Sequence, residues 1–115
     1  MTALVRAGIG ALVLGAALVV AFPSGAQEVP EVALQIEQNR FQPEEIRVKA
    51  GQAFVLIITN KDKGPEELES KDLRIEKIIP AGKTLRLRMP ALKAGSYSFV
   101  GEYHEKTAKG RIIAE

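Results

Sequence analysis

Short runs in which apolar and polar residues alternate occupy most of this 115-residue chain after residue 31. The runs are separated by turn residues such as Ala50-Gly51, Pro80-Ala81-Gly82 and Ala94-Gly95. Alternation places successive side chains on opposite faces of a strand, so the pattern predicts about seven short strands and no convincing helix. The predicted strands cover residues 32–37, 46–48, 54–59, 73–78, 84–89, 97–103 and 110–114.

Regularly spaced short strands are typical of a β-sandwich or a small barrel. We predict an all-β fold, an antiparallel Greek-key β-sandwich. Residues 54–59 form a continuous apolar run, which predicts a strand buried on both faces. The polar segment 60–71 contains the breaker pair Gly64-Pro65 and is predicted to be the longest loop. Long loops on a rigid sheet often carry function, so this loop is a candidate location for a site.

The first 26 residues have the features of an export signal. Arg6 supplies a positive flank, an apolar run covers residues 7–22, and Ser24-Gly25-Ala26 offer small residues for a cleavage site. The alternative is a retained membrane anchor, but an anchor needs about 20 apolar residues and this run is shorter. We therefore predict a signal peptide over residues 1–26, one domain over residues 27–115, and an exported protein.

The available metal ligands exclude one class of site. The chain has no cysteine and one histidine, and its two methionines are Met1 and Met89. A blue-copper centre requires two histidines and a cysteine thiolate around the metal, so type 1 copper is excluded. The charge is nearly balanced, with 16 basic against 14 acidic residues, and this gives no electrostatic signature of nucleic-acid binding.

Two short segments carry side chains that suit metal chemistry, and the first is acidic. It contains Glu66, Glu67 and Glu69, three carboxylates that repel one another unless a cation lies among them. In an extended chain Glu67 and Glu69 share one face and Glu66 lies on the other. The alternative is a solvated acidic loop that is neutralised by the nearby lysines Lys61, Lys63 and Lys71.

The second segment is Glu102-Tyr103-His104, followed by Glu105. If this segment continues a strand, Glu102 and His104 point the same way and present an oxygen and an imidazole nitrogen together. The alternative is an exposed histidine that is hydrogen-bonded to neighbouring acids. Neither Ser70 nor Ser98 has a base in its local pattern, and no glycine-rich phosphate loop is present, so the chain carries no catalytic motif.

The closing segment resembles the copper-binding loop of the cupredoxins, Tyr-x-Phe-x-Cys-x-x-His-x-x-Met. In this chain the same spacing is occupied by Tyr97, Phe99, Gly101, His104 and Thr107. Glycine therefore stands at the cysteine position and threonine at the methionine position. In that family another histidine ligand lies six residues after a strand-ending asparagine, and the same count from Asn60 reaches Glu66. The resemblance implies a cupredoxin-like Greek-key β-sandwich with three of its four copper ligands replaced.

These replacements resemble a subgroup, the periplasmic cupredoxin-like proteins of iron-permease uptake systems, which includes FtrB-like proteins and the N-terminal domain of EfeO-type proteins. The shared pattern lies within residues 41–115 and comprises residues 65–70, Leu73, Glu76-Lys77, Gly82, Pro90, Gly95, Tyr97, Phe99, residues 101–104 and Thr107-Ala108-x-Gly110. The resemblance implies a metal site built from four carboxylates and one imidazole, those of Glu66, Glu67, Glu69, Glu102 and His104. Such donors suit iron or copper(II), so iron and/or copper(II) is the expected metal.

The resemblance also implies a function and a location. We expect a periplasmic metal-binding protein that assists ferrous iron uptake through a membrane iron permease, by delivering metal or by helping to oxidise it. The expected partner is the permease or a periplasmic redox or metal-carrier protein. Oxidation requires a redox partner or bound copper, which leaves open whether the protein is an enzyme. The alternative function is a metal-free interaction module for a membrane or redox partner.

Overall fold

The computed structural model describes residues 28–115, which form two β-sheets packed as a sandwich. The predicted signal peptide at residues 1–26 lies outside the described residues. The strands are β1 (Glu31–Glu37), β2 (Arg40–Gln42), β3 (Glu45–Val48), β4 (Phe54–Asn60), β5 (Glu66–Ser70), β6 (Ile75–Ile79), β7 (Thr84–Met89), β8 (Gly95–Gly101) and β9 (Lys109–Ala114). A short 3-10 helix spans Glu102–His104 between β8 and β9. The all-β sandwich that the alternation predicts is confirmed. Over the described range, no helix has the length and apolar character needed to cross a membrane.

The two sheets have the strand orders β2-β1-β4-β7 and β3-β9-β8-β5-β6. Most neighbouring strands are antiparallel, but β1 pairs with β4, and β3 with β9, in parallel. The prediction of a purely antiparallel sandwich is therefore wrong at these two pairs. The reason is topological: the chain passes through β3 in the second sheet before β4 returns beside β1, and parallel neighbours require such a crossover.

β4 is central to the first sheet but is fully buried on one face alone. Phe54, Leu56 and Ile58 point inward and are buried, whereas Val55 and Ile57 are half-buried on the outer face. The strand lies between β1 and β7, so neighbouring strands shield the outer side chains only in part. The prediction of burial on both faces is wrong, because no second layer covers this outer face within residues 28–115.

The segment 60–71 contains a strand, which corrects the predicted long loop. β5 pairs with β6 along its whole length and with β8 at Leu68 and Glu69. Its buried positions are Glu66, Leu68 and Ser70, so polar residues occupy two of the three inward positions. An acidic strand of this kind shows no apolar alternation in its sequence. Its first and last residues are set only by the strands with which it pairs. β5 and the three-residue β2 raise the strand count from the predicted seven or so to nine within residues 28–115.

The core between the sheets is mainly apolar and includes Leu68 of the acidic strand β5. Leu34, Ile58, Leu68 and Ile112 are among its fully buried side chains. Phe41 and Phe99 meet edge to face, with ring centroids 4.9 Å apart and an interplanar angle of 80°. This geometry is favourable for aromatic rings. It joins β2 of one sheet to β8 of the other.

Asn60 ends β4 and fixes the turn that leads into β5. Its side chain is fully buried, and its amide nitrogen donates to the carbonyls of Gly64 (2.9 Å) and Ile79 (3.0 Å). Its Oδ1 accepts a hydrogen bond from the backbone N–H of Asp62 (3.0 Å). A buried amide with both ends bonded holds its surroundings in one arrangement. The turn is thereby tied to the end of β6, and Glu66 enters the sheet on its inner face.

Candidate metal centre

The two segments that the sequence selects meet at one end of the sandwich, where β5 lies beside the 3-10 helix. The strand predicted over residues 97–103 is too long at its end, because β8 ends at Gly101 and a 3-10 helix follows over Glu102–His104. Residues 101–108 instead form a closed turn. Ala108 N–H donates to the carbonyl of His104 (2.8 Å), and Gly101 N–H donates to the carbonyl of Ala108 (2.8 Å). The helical geometry sends the side chains of Glu102 and His104 in different directions.

His104 faces inward and contacts Glu66. Its Nδ1 lies 2.6 Å from Oε2 of Glu66. The other carboxylate oxygen, Oε1, accepts hydrogen bonds from the backbone N–H groups of Glu67 and Tyr103, each at 3.0 Å. The Glu66 side chain is 2% exposed, whereas that of His104 is 36% exposed. A buried carboxylate is thus fully hydrogen-bonded to a partly solvated imidazole and to two backbone amides.

Gly101 borders the same carboxylate. A Cβ placed on Gly101 lies 2.7 Å from Cδ and 2.9 Å from Oε2 of Glu66, and 2.7 Å from the Cβ of Ala108. These separations are shorter than carbon and oxygen atoms accept without bonding. The volume next to Gly101 is therefore filled by a side chain that comes from β5.

Glu67 and Glu69 lie on the opposite face of β5, as the alternation predicts. There they approach Glu102 and also Glu76 of β6, which stands directly opposite Glu69 across the strand pair. One carboxylate oxygen from each of Glu67, Glu76 and Glu102 lies within 4.8 Å of the other two. Like charges directly opposite one another destabilise a sheet, so this arrangement costs free energy unless a proton or cation offsets it.

Crowding of these carboxylates changes their acidity. Loss of hydration, a hydrogen bond with Glu76 and repulsion by Glu102 raise the pKa of Glu67 to about 7. Loss of hydration and repulsion by Glu102 also raise the pKa of Glu69, while the neighbouring Lys71 acts in the opposite direction. The pKa of the Tyr103 hydroxyl is raised by loss of hydration and by the charges of Glu67 and Glu102. Loss of hydration and the neighbouring carboxylates thus favour the protonated form of Glu67.

The structure divides the five predicted ligands into two groups. Glu66 and His104 form the buried pair, whereas Glu67 and Glu102 lie on the outer face with Glu69 beside them. Glu67, Glu76 and Glu102 are the only group of three or more potential donors that converges in the described part of the chain. Whether either group binds metal stays a prediction.

Glu76 belongs to the outer group but was not among the predicted ligands. Its identification requires the register of β5 against β6, in which Glu69 pairs with Glu76 and Glu67 with Ile78. One feature of the sequence could have placed Glu76 near Glu69, because a turn between two alternating strands predicts a hairpin. The hairpin is not evident from residues 66–70, because that acidic segment lacks apolar alternation.

Comparison with known proteins gives the family. The sequence model of the family described as "Cupredoxin-like domain" matches residues 10–114. The chain belongs to this cupredoxin-like family. An uncharacterized protein of Rickettsia prowazekii (strain Madrid E) is 37% identical over 83 residues, which cover 72% of this chain and 66% of that relative. The chain thus spans about two thirds of the relative's length.

Solved structures with this cupredoxin-like fold include copper proteins. Auracyanin A from Chloroflexus aurantiacus, a blue copper protein, has a TM-score of 0.65 at 13% identity, over 76% of this chain and all of that chain (100%). The metal-binding domain of a Cu(I)-exporting P-type ATPase of Streptococcus pneumoniae D39 has a TM-score of 0.65 at 16% identity, over 79% and 99% of the two chains. A copper-binding protein solved in its apo form has a TM-score of 0.66 at 20% identity, over 78% and 93%. At these identities the likeness establishes the fold alone.

The donors of this cupredoxin-like chain fit one kind of metal and not another. A type 1 copper site does not fit, because the chain has no cysteine and the space beside Gly101 is filled by Glu66. A carboxylate facing an imidazole does fit a divalent ion that accepts oxygen and nitrogen ligands. The adjoining outer carboxylates add further oxygen donors of the same class.

Proposed function

We propose that this cupredoxin-like protein is exported to the periplasm and binds iron(II) or copper(II) at the Glu66–His104 end of the sandwich. Its role is to assist ferrous iron uptake through a membrane iron permease. The metal ion is cargo for transfer rather than a resident cofactor. The partner is the permease itself or a periplasmic carrier that supplies it.

The observation that carries this proposal is the 2.6 Å contact between His104 Nδ1 and Glu66 Oε2. The only imidazole of the chain meets a carboxylate at the position where the family's copper ligands lie. A hydrogen bond joins the two groups, so a divalent ion that takes the place of the bonding hydrogen has an oxygen and a nitrogen donor already facing each other. Metal affinity then falls as the pH is lowered, because protons compete for both donors.

The surroundings prepare this pair for binding. The two backbone amides on Oε1 of Glu66 fix the carboxylate so that Oε2 points at the imidazole. Hydrogen bonds that orient a ligand typically matter by 10–100-fold in metal affinity, as an order of magnitude. The outer carboxylates of Glu67, Glu76 and Glu102 attract cations to this end of the molecule.

Delivery and oxidation make different demands on the protein. Delivery requires only reversible binding by hard donors, which this end of the sandwich offers. Oxidation of iron(II) also requires an acceptor for one electron, and the chain has no cysteine thiolate to serve a redox centre. An oxidative role therefore needs a redox partner or bound copper.

Titration of the purified protein with iron(II) under anaerobic conditions, and with copper(II), tests the proposal. We expect Glu66→Gln and His104→Ala to weaken binding tenfold or more, and the exposed control Glu44→Gln to leave it unchanged. The affinities of Glu76→Gln and Glu102→Gln show whether the outer carboxylates contribute to metal binding. Circular dichroism of each variant establishes that it remains folded.

The outcomes of this titration are separable. Absence of binding in the parent, or equal affinity in the parent and in both Glu66→Gln and His104→Ala, contradicts binding at the buried pair. If only Glu76→Gln and Glu102→Gln weaken binding, the metal lies on the outer face instead.

A second candidate function is a metal-free interaction module, and a specific observation favours it. Tyr103 and Ile78 are 46% and 55% exposed, and both lie next to the outer carboxylates. Exposed apolar residues framed by charge are typical of protein–protein contacts. Growth of the host under iron limitation separates the two functions: loss of growth with Tyr103→Ser and Ile78→Ser, but not with Glu66→Gln, favours the interaction module.

A further inference from the structure

The position of the cupredoxin thiolate is taken in this chain by a side chain from another strand. We infer that Glu66 and Gly101 form one interlocked unit, in which the Glu66 carboxylate fills the space of a residue-101 side chain and holds the closing turn in place without metal. Together with Ala108, the Glu66 carboxylate keeps any side chain at residue 101, and so any thiolate there, out of this space. The inference concerns the metal-free protein, so it stands or falls separately from the proposed metal transfer.

Gly101 is needed for space and not for backbone conformation. Its φ of −90° and ψ of 107° lie in the extended region that every residue adopts. The obstruction comes from the Glu66 carboxyl group on one side (2.7 Å to Cδ) and the Ala108 Cβ on the other (2.7 Å). A side chain at residue 101 therefore requires at least one of these groups to move.

The Glu66 carboxylate is not free to move aside. It is held by three hydrogen bonds, from the backbone N–H groups of Glu67 and Tyr103 and with the imidazole of His104. Two of these partners belong to the 3-10 helix that follows Gly101. The carboxylate thus cross-links β5 to the closing turn, which keeps the turn ordered when no metal is bound.

Three consequences follow from this arrangement. Cysteine at residue 101 alone does not recreate a thiolate copper site, because Glu66 and Ala108 obstruct the side chain and the chain has one histidine where such a site needs two. Removal of Glu66 relieves part of the obstruction at residue 101, and Ala108 accounts for the rest. The amides of Glu67 and Tyr103 lose their acceptor at the same time.

A thermodynamic cycle on the full-length, chelator-treated protein tests the interlock. We expect Gly101→Ala to lower the thermal midpoint by about 8 °C or more in the parent, a loss in the range that overpacking causes in a domain of this size. In the Glu66→Ala background at least half of that loss disappears, because contacting residues are not additive.

Two other glycines provide matched controls. A Cβ on Gly110 meets the Phe99 ring and not Glu66, so Gly110→Ala costs the same in both backgrounds. Gly64 has open space around its Cβ position, and Gly64→Ala leaves the midpoint within about 2 °C.

Amide hydrogen exchange provides a second readout if the double variant does not fold. In Glu66→Ala the amides of Glu67 and Tyr103 exchange at least tenfold faster than in the parent, whereas Glu66→Gln, which retains an acceptor oxygen, keeps them protected. An equal loss from Gly101→Ala in both backgrounds overturns the inference. Unchanged protection of the Tyr103 amide in Glu66→Ala also overturns it.

Discussion

Replacement of Glu66 by alanine is the most informative single change to this molecule, because the side chain is 2% exposed and its carboxylate is bonded on both oxygens. The backbone amides of Glu67 and Tyr103 each lose an acceptor, at about 1 kcal/mol apiece, since the turn is partly open to water. The vacated volume adds about 1 kcal/mol. His104 regains water through its exposed edge and contributes little.

The expected loss is therefore about 3 kcal/mol, a substantial part of the 5–15 kcal/mol that holds a typical domain folded. For a domain of this size it corresponds to a fall of roughly 12–24 °C in the thermal midpoint. Glu66→Gln keeps the shape and one acceptor oxygen, so we expect it to cost only about 1 kcal/mol.

Urea unfolding followed by far-ultraviolet circular dichroism is the appropriate assay, because the chain has no tryptophan to report by fluorescence. The exposed Glu44→Ala is the matched control, expected to remain within about 0.5 kcal/mol of the parent. A loss below about 0.5 kcal/mol for Glu66→Ala contradicts a stabilising role for the buried carboxylate. So does a Glu66→Gln variant that is as unstable as Glu66→Ala.

Two further predictions concern the acidic surface and the turn before β5. The pKa of Glu67 is about 7 in the folded protein, above its ordinary value of 4.5. The stabilisation that comes from its protonated form is therefore fully present below pH 4.5 and is lost as the pH rises through 7. Glu76→Gln lowers this pKa, which nuclear magnetic resonance titration measures directly, and raises stability above pH 7 relative to the parent; an unshifted Glu67 titration contradicts the proposed repulsion. Asn60→Leu leaves the carbonyls of Gly64 and Ile79 without their donor and costs about 3 kcal/mol in urea unfolding. A loss below about 1 kcal/mol shows that this amide is not needed to hold the turn.

Most of the fold could be predicted from the sequence because strand alternation is a local property. Seven of the nine strands coincide with predicted runs, for example β1, β7 and β9. β5 is not predicted by alternation, because polar residues, Glu66 and Ser70, occupy two of its inward positions. Such a strand is stabilised by hydrogen bonds to β6 and β8, and the sequence pattern of residues 66–70 does not record those partners.

The sequence predicts which residues make up the candidate site but not how they are arranged. The five selected residues do lie at one end of the sandwich, but the strand expected through Glu102 and His104 is a 3-10 helix. The turn after that helix is closed by hydrogen bonds from the N–H groups of Thr107 and Ala108 to the carbonyl of His104, which the spacing of the motif does not reveal.

The class of fold and the kinds of metal ligand available follow from the order of the amino acids, because alternation and the absence of cysteine are properties of the chain alone. The distribution of those ligands depends on contacts between distant parts of the chain. These contacts turn Glu66 inward to His104, gather Glu67, Glu76 and Glu102 outside, and fill the space beside Gly101. The physical reason is that burial and contact depend on the register between strands distant in the chain, which no local pattern specifies.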